Sequence, residues 1–149
     1  MSRRVRIIKK EIKTISDKII PKIIHQVWIG PKKRPEKLMN TWKEKHPDFQ
    51  YILWTEENLK DMKFECIDKI NEIEEINGKC DIIRWEILYK YGGVFIDADS
   101  FCIEKLDDSL MKREEFFSYE SEKYITGLIS TSAMGFYKSH PLVRSIIDD

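Results

Sequence analysis

The chain has 149 residues, of which 42% are hydrophobic and 35% charged; that is enough to bury one core and too apolar for a disordered segment. Lysine plus arginine and aspartate plus glutamate number 26 each, so net charge gives no reason to invoke nucleic acid or a membrane surface as the main partner. No apolar run reaches transmembrane length and no signal-peptide core follows the early arginines, so a cytoplasmic location is expected.

The first 22 residues, MSRRVRIIKKEIKTISDKIIPK, carry eight basic and two acidic side chains. Residues 1–20 read as a solvated leader or first helix; an amphipathic basic helix with at most weak peripheral membrane contact is the alternative. One domain is expected over 21–149. KIIHQVWIG (22–30) is a β-branched and aromatic run stopped by Gly30-Pro31, which predicts a buried strand. A short helix follows through Leu38, Met39 and Trp42, then a turn at Pro47-Asp48 and a second strand in FQYILW. Thr55 is a candidate N-cap, with Glu56 and Glu57 in the first turn behind it.

From Lys60 to Gly78 the isoleucines at 67, 70, 73 and 76 suggest a mostly helical stretch. KCDIIRWEILYKYGG (79–93) predicts a helix with Ile82, Trp85 and Tyr89 on one stripe, closed by a left-handed residue at Gly92. VFI is then a strand, FCIEKL an extended continuation, and EEFFSYE and ISTSAMGFYK two further strands. HPLVRSIID begins a helix. Strands alternating with helices give an α/β domain with a mixed sheet, in which ligands bind beyond the carboxyl ends of strands.

The chemistry concentrates at GGVFIDADSF (92–101). On an extended strand Asp97 and Asp99 share a face and reach one object. The object that best repays two carboxylates is a divalent cation carrying phosphates, for which oxygen ligands suit Mg²⁺ or Mn²⁺. Ala98 leaves room for a ligand. The plainer reading makes these aspartates a turn and a helix cap. Asp81 and Arg84, at i and i+3, are either a cap and a surface ion pair or groups projecting from a helix N-terminus towards the same site. Trp28 is either core or a platform on which a base stacks. His25 reads as a satisfied, partly buried histidine, Trp54 and Trp85 as core, and Trp42 as core or a half-exposed cover. Cys66, Cys80 and Cys102 form no zinc or redox motif and read as reduced thiols.

IPKIIHQVWIG, HPDFQYILWTEENL and KCDIIRWEILYKYGGVFIDADSF resemble the glycosyltransferases with the sugar-binding DXD motif. This is family 32, which includes yeast-type α-1,6-mannosyltransferases and capsule enzymes and is similar in core to the clostridial glucosylating toxins. The likeness covers about residues 20–143, and D-x-x-R-x-x-x-L-x-x-x-G-G-[apolar]₃-D-x-D from Asp81 to Asp99 is its most specific part. The resemblance implies an A-type glycosyltransferase fold, Rossmann-like, that binds a nucleotide-diphosphate sugar (a UDP-hexose or GDP-mannose) with Mn²⁺ or Mg²⁺. It implies Trp28 on the base with the backbone at Val27 and Ile29 close by, and Asp81 and Arg84 at the donor sugar. Asp97 would meet ribose or a metal-bound water beside Ala98, and Asp99 would ligate the metal. Asp97, Asp99 and Arg84 would carry a retaining transfer to a glycan, lipid or protein hydroxyl.

Two departures accompany the likeness. Ser132 and Ala133 stand where the family often carries an asparagine near the donor. Family members also continue past the histidine-proline turn into segments that supply acceptor contacts and a further metal or phosphate ligand. The chain therefore reads as shortened at its C-terminus, as a minimal enzyme, or as a catalytically incomplete nucleotide-sugar-binding domain. A haloacid-dehalogenase-type phosphatase also begins with an apolar strand and D-x-D, but Ser100-Phe101 replaces the pair that usually follows.

Overall fold

The structure is a computed structural model that describes residues 18–121 and 123–149. The basic helix weighed for the N-terminal segment lies almost wholly outside the described residues. Five strands form one mixed sheet: β1 (Ile23–Val27), β2 (Gln50–Trp54), β3 (Gly93–Ile96), β4 (Glu115–Ser121) and β5 (Ile125–Phe136), in the order β2-β1-β3-β5-β4. β1 is parallel to both β2 and β3, while β3–β5 and β4–β5 are antiparallel. The helices are α1 (Glu36–Lys45), α2 (Glu56–Leu59), α3 (Ile67–Glu72), α4 (Ile76–Tyr91), α5 (Asp108–Met111) and α6 (Pro141–Asp148). The expected α/β class and mixed sheet are therefore present. Among the described residues no helix is long and apolar enough to cross a membrane.

The period-2 pleat sorts strand side chains onto two faces. Val27, Trp54, Phe95, Met134 and Phe136 pack under Ile70 of α3, Ile83, Ile87 and Leu88 of α4, and Val143 and Ile147 of α6. Ile24, Val94 and Ile96 face the other way, against Ile20, Phe49, Trp42 of α1 and Met111 of α5. β3 is buried at every position, which is why it reads as an unbroken apolar run.

Three expectations give way. The stretch 60–78 is not one helix, because Ile73 is extended (φ −81°, ψ 122°) and Glu75 opens α4. Isoleucines three residues apart fall about 60° short of a turn at each step, so Ile76 ends up opposite Ile67 and no continuous stripe forms. α4 consequently starts ahead of Lys79. β1 stops at Val27, leaving Trp28 and Ile29 beyond the sheet. Residues 101–107 form a loop into α5 rather than a strand.

The Gly92-Gly93 pair turns α4 into β3 with φ values of +65° and +107°. A Cβ on Gly93 would stand 2.7 Å from the Ile23 carbonyl oxygen. His25 fastens this corner. Its Nε2–H donates to the Gly92 carbonyl at 2.8 Å, and its Nδ1 accepts from the Trp54 indole N–H at 3.1 Å; the indole can only donate, which fixes the tautomer. At the far end of β5, His140 caps α6, with Nδ1 accepting from the Leu142 N–H and Nε2–H donating to Glu115 at 2.9 Å. Its ligand atoms and those of Glu114 and Glu115 lie within 4.8 Å of one another, but both ring nitrogens are already committed to these bonds.

Two outcomes follow from this corner. Gly93→Ala combines positive-φ strain with a backbone clash, so it should cost roughly 2–4 kcal/mol in urea unfolding. Burial holds the His25 imidazole well below its ordinary range, at about 4. The unfolded chain takes up a proton near pH 6.5 and the native one does not until about pH 4. Stability should therefore fall as pH drops through that window, by up to about 3 kcal/mol. His46 is held low by burial in the same direction. Urea midpoints measured from pH 7 to 4.5 test this, and His25→Gln should flatten the slope.

Candidate active site

β1 leads through α1 to β2 on one side, and the chain returns from β2 to β3 on the other. The carboxyl ends of β1 and β3 therefore diverge, and a crevice must open where they part. A cleft of about 930 Å³ lies there. Val27, Trp28 and Ile29 reach it from the end of β1, Asp81 and Arg84 from α4, and Asp97, Ala98 and Asp99 from the end of β3. The structure thus gathers every residue singled out in the sequence as a donor or metal contact around one space.

The aspartates arrive there by a different route from the one expected. β3 ends at Ile96, and residues 97–100 form a turn closed by the Ser100 N–H donating to the Asp97 carbonyl at 3.2 Å. The turn, not strand alternation, brings both carboxylates to the cleft, so a place in a turn and a place on the cleft wall are compatible. The Asp97 carbonyl also accepts from the Ser100 hydroxyl at 2.6 Å and from the Gln26 amide at 3.3 Å. Tyr51 donates to Gln26 Oε1 at 2.6 Å. The Trp42 indole N–H points at the Ser100 carbonyl (3.1 Å) and hydroxyl (3.0 Å), and the Asp97 N–H donates to Ser132 at 2.9 Å.

Arg84 is 7% exposed, so its link to Asp81 is no surface ion pair. Nor do the two project from a helix N-terminus, since α4 begins at Ile76. The guanidinium lies over the Phe95 ring at 4.7 Å. Nη1 donates to the Thr131 carbonyl at 2.7 Å and stands 3.3 Å from Asp97 Oδ1. Nη2 meets Asp81 Oδ1 at 3.1 Å and Nε reaches the Cys80 carbonyl at 3.4 Å. Burial pushes the Asp97 carboxyl above its ordinary range; Arg84 pulls it back, and the charges of Asp99 and Asp81 push it up again. Asp99 is exposed at the turn's outer corner.

The Trp28 indole donates to the Lys32 carbonyl at 2.9 Å, which sets the ring on the cleft wall. The Gly30 N–H donates to Glu56, whose carboxyl is held below its ordinary range by that bond, so α2 pins the loop that carries the ring. Trp54 is core; Trp85 packs partly buried against it, and Trp42 covers the second cluster. Cys66, Cys80 and Cys102 are free thiols, as expected, and Cys80 lines the cleft.

Several contributors had no sequence signal. Phe95 read only as part of a strand, and Thr131 reaches the cleft because β5 pairs with β3 from far along the chain; Ser132, which the family likeness put near the donor, lines the cleft as well. Ala133 pairs with Ile96 instead. Gln26 did carry a signal, as a polar residue inside an apolar strand.

Comparison with known proteins agrees with this geometry. The profile of the glycosyltransferase sugar-binding region containing the DXD motif matches residues 32–117. Inositol phosphoceramide mannosyltransferase 3 of Schizosaccharomyces pombe is 33% identical over 146 residues, 92% of this chain and 39% of that protein. Mannosyl phosphorylinositol ceramide synthase SUR1 of Saccharomyces cerevisiae is 34% identical over 134 residues, 83% of this chain and 32% of that protein. The chain thus spans well under half the length of these curated relatives. Among solved structures, the PaToxG glycosyltransferase superposes with a TM-score of 0.60 at 17% identity, covering 97% of this chain and 66% of that one, a likeness of fold. With the A-type glycosyltransferase architecture and the D-x-D turn at its strand end both present, the chain belongs to the family of glycosyltransferases with the DXD-containing sugar-binding region.

Proposed function

We propose that the chain is the donor-binding part of a metal-dependent hexosyltransferase of the mannosyltransferase type. It would take a nucleotide-diphosphate sugar, a UDP-hexose or GDP-mannose, and pass the hexose to an acceptor hydroxyl with retention of configuration. The observation that carries this is the Asp97–Asp99 turn, fixed beside a buried Arg84 in a cleft at the point where β1 and β3 part. Family membership leaves no support for the phosphatase alternative. The cytoplasmic location expected from the sequence belongs to this proposal too.

The residues fit a divalent cation. Asp97 and Asp99 offer a set of oxygens alone, as Mg²⁺ and Mn²⁺ prefer. Asp99 is exposed on the turn, while Asp97 is held uncomfortably ionised between burial and two like charges, a strain that a cation relieves. Asp99, with Asp97 behind it, would hold such an ion, which would supply positive charge against the charge that builds on a departing diphosphate.

The chain's own groups do the rest. Trp28 offers a ring face to the base, and Asp81 accepts from hydroxyls of the donor sugar. Direct contact of Arg84 with the donor was the expectation. With Thr131, Asp97, Asp81 and Cys80 already taking its N–H groups, it has at most one left, on Nη2. Its main part is to hold Asp81 and Asp97 in a fixed relation, which pre-organises the site. In the transfer, the acceptor oxygen bonds to the anomeric carbon from the face the diphosphate leaves. The carbon–oxygen bond to the β-phosphate breaks with its electron pair on the diphosphate, and the acceptor proton passes to a diphosphate oxygen.

A thermal-shift panel tests this, using UDP, GDP, UDP-glucose, UDP-galactose, UDP-N-acetylglucosamine and GDP-mannose, each with and without Mn²⁺. A ligand at about a hundred times its dissociation constant adds about 2.7 kcal/mol, a shift of several degrees. One nucleotide class should shift the protein, and only with Mn²⁺. No Mn²⁺-dependent shift with any of them removes the reading. Asp99→Asn should lose the shift at unchanged melting temperature. Asp97→Asn should also lose it but melt no lower than the parent, because the ionised carboxylate is disfavoured where it stands.

A further inference from the structure

The chain that leaves the D-x-D turn has little of its own to hold it. Residues 101–106 run from the turn towards α5, and among the described residues they make no backbone–backbone hydrogen bond. Of their side chains only Cys102 is buried, while Phe101 is 59% exposed and Ile103 77%. The segment is held instead by the end of α1 and its C-cap residue, His46. The Trp42 indole N–H points at Ser100, where the segment begins. The Cys102 N–H donates to the Thr41 hydroxyl at 2.9 Å, and that hydroxyl donates in turn to the Leu38 carbonyl at 2.6 Å. The Leu106 N–H donates to Nε2 of His46 at 2.9 Å.

Of these three grips, the one made by His46 depends on a proton. The ring is 2% exposed. Its Nδ1–H donates to the Trp42 carbonyl at 2.8 Å, which leaves Nε2 without a hydrogen and free to accept from Leu106. The ring stacks on Trp42, centroids 5.9 Å apart and planes 16° apart, and meets the Phe49 ring edge-on at 4.9 Å. It therefore cannot swing aside without disturbing the indole that points at Ser100. A second ring proton would set N–H against N–H and break the bond to Leu106.

We propose that His46 is a positioning residue for the metal turn: with Thr41 and Trp42 it fixes the segment that trails Asp99, and a proton on Nε2 frees that segment and weakens the hold on a metal–nucleotide. This rests on the donor reading above and goes beyond it, since His46 does not line the cleft. The sign follows from linkage. The metal–nucleotide needs the neutral ring, so binding is strongest above the ring's pKa and falls as pH drops through it. Burial holds the ring below its ordinary range, which places the fall below about pH 6.5. Lys105 on the trailing segment opposes the proton and Asp48, in the turn after α1, favours it. These two pair at 2.8 Å, Lys22 and Asp108 complete the cluster, and Lys43, Glu44 and Lys45 on α1 itself are exposed. Asp48 is held down at about 2 by its bond to Lys105, so it stays ionised wherever His46 titrates.

The test measures, by calorimetry from pH 7.5 to 5, the dissociation constant of the nucleotide that the thermal panel selects, with Mn²⁺ saturating. His46→Gln sets an amide oxygen where Nε2 stood and cannot titrate. It should bind like the parent at pH 7.5 and at least about threefold more tightly than the parent at pH 5. Protonation of the turn carboxylates or of the nucleotide is common to both proteins, so the ratio of their constants isolates the ring. His46→Leu, which offers Leu106 no acceptor, should weaken binding about tenfold at every pH. Thr41→Val should weaken it severalfold and keep the parent's pH profile. A parent-to-Gln ratio that stays level across the range overturns the proposal. So does parent-like affinity at pH 7.5 in both His46→Leu and Thr41→Val; a merely structural His46 would lower the melting temperature and leave the affinity of folded protein unchanged. Should His46→Leu not fold, the Gln ratio and Thr41→Val decide alone. A parent that shows no Mn²⁺-dependent nucleotide shift strikes the donor reading instead, so the two failures are told apart.

Discussion

A guanidinium taken out of water must find acceptors for its N–H groups or unfold what buries it. Meeting that demand for Arg84 ties together parts of the chain that have no other reason to meet. One acceptor comes from its own helix at Cys80, one from β5 at Thr131, and two are the carboxylates of Asp81 and Asp97. The Phe95 ring closes the remaining side. Helix α4, the end of β3 and the middle of β5 are thus fixed relative to one another by one side chain. The two carboxylates it holds carry a like charge that would otherwise drive them apart. The cation does not abolish that repulsion; it sets the distance at which the repulsion is borne.

The turn at Asp97 is secured just as heavily from the opposite face. Gln26 reaches it from β1, held in turn by Tyr51 of β2, and Trp42 reaches Ser100 from α1. Gln26 is fully buried, where an aliphatic side chain would pack without needing partners. A buried amide gains little net stability even when satisfied, so stability alone does not explain its presence. What it contributes is a defined backbone position for the turn. The site therefore depends on polar groups on both faces of the sheet, while the apolar clusters beneath them supply the stability that such an arrangement draws upon.

The legible part of the sequence is the part where local rules and the fold agree. The apolar run of β3, the glycine pair after α4 and the D-x-D stretch all lie within a few residues of one another, and each announces itself by composition. The break at Ile73 was hidden, because isoleucines every third residue resemble a stripe until their phase is followed around the helix. The length of β5 was also hidden: ISTSAM shows the strand, but the exposed residues from Ile125 onwards have no apolar alternation to mark them. Thr131 could not be assigned to the site from sequence, and Ser132 only through the family likeness, since antiparallel pairing with β3 brings them there. For the same reason the residues alone left Arg84 open between a surface partner of Asp81 and a group directed at the site. Its burial depends on Phe95 and β5, neither of which is close to it in sequence.

The site divides into two kinds of support. Asp97, Arg84 and Trp28 stand at strand ends or on a long helix and are fastened by bonds from several elements, so small changes elsewhere leave their spacing intact. Glu120 and Ile129 stand on a hairpin that outruns β3 and, among the described residues, pairs along its outer half only with itself. Substitutions on such a projecting hairpin disturb no core contact and alter only what the cleft wall presents to an entering molecule.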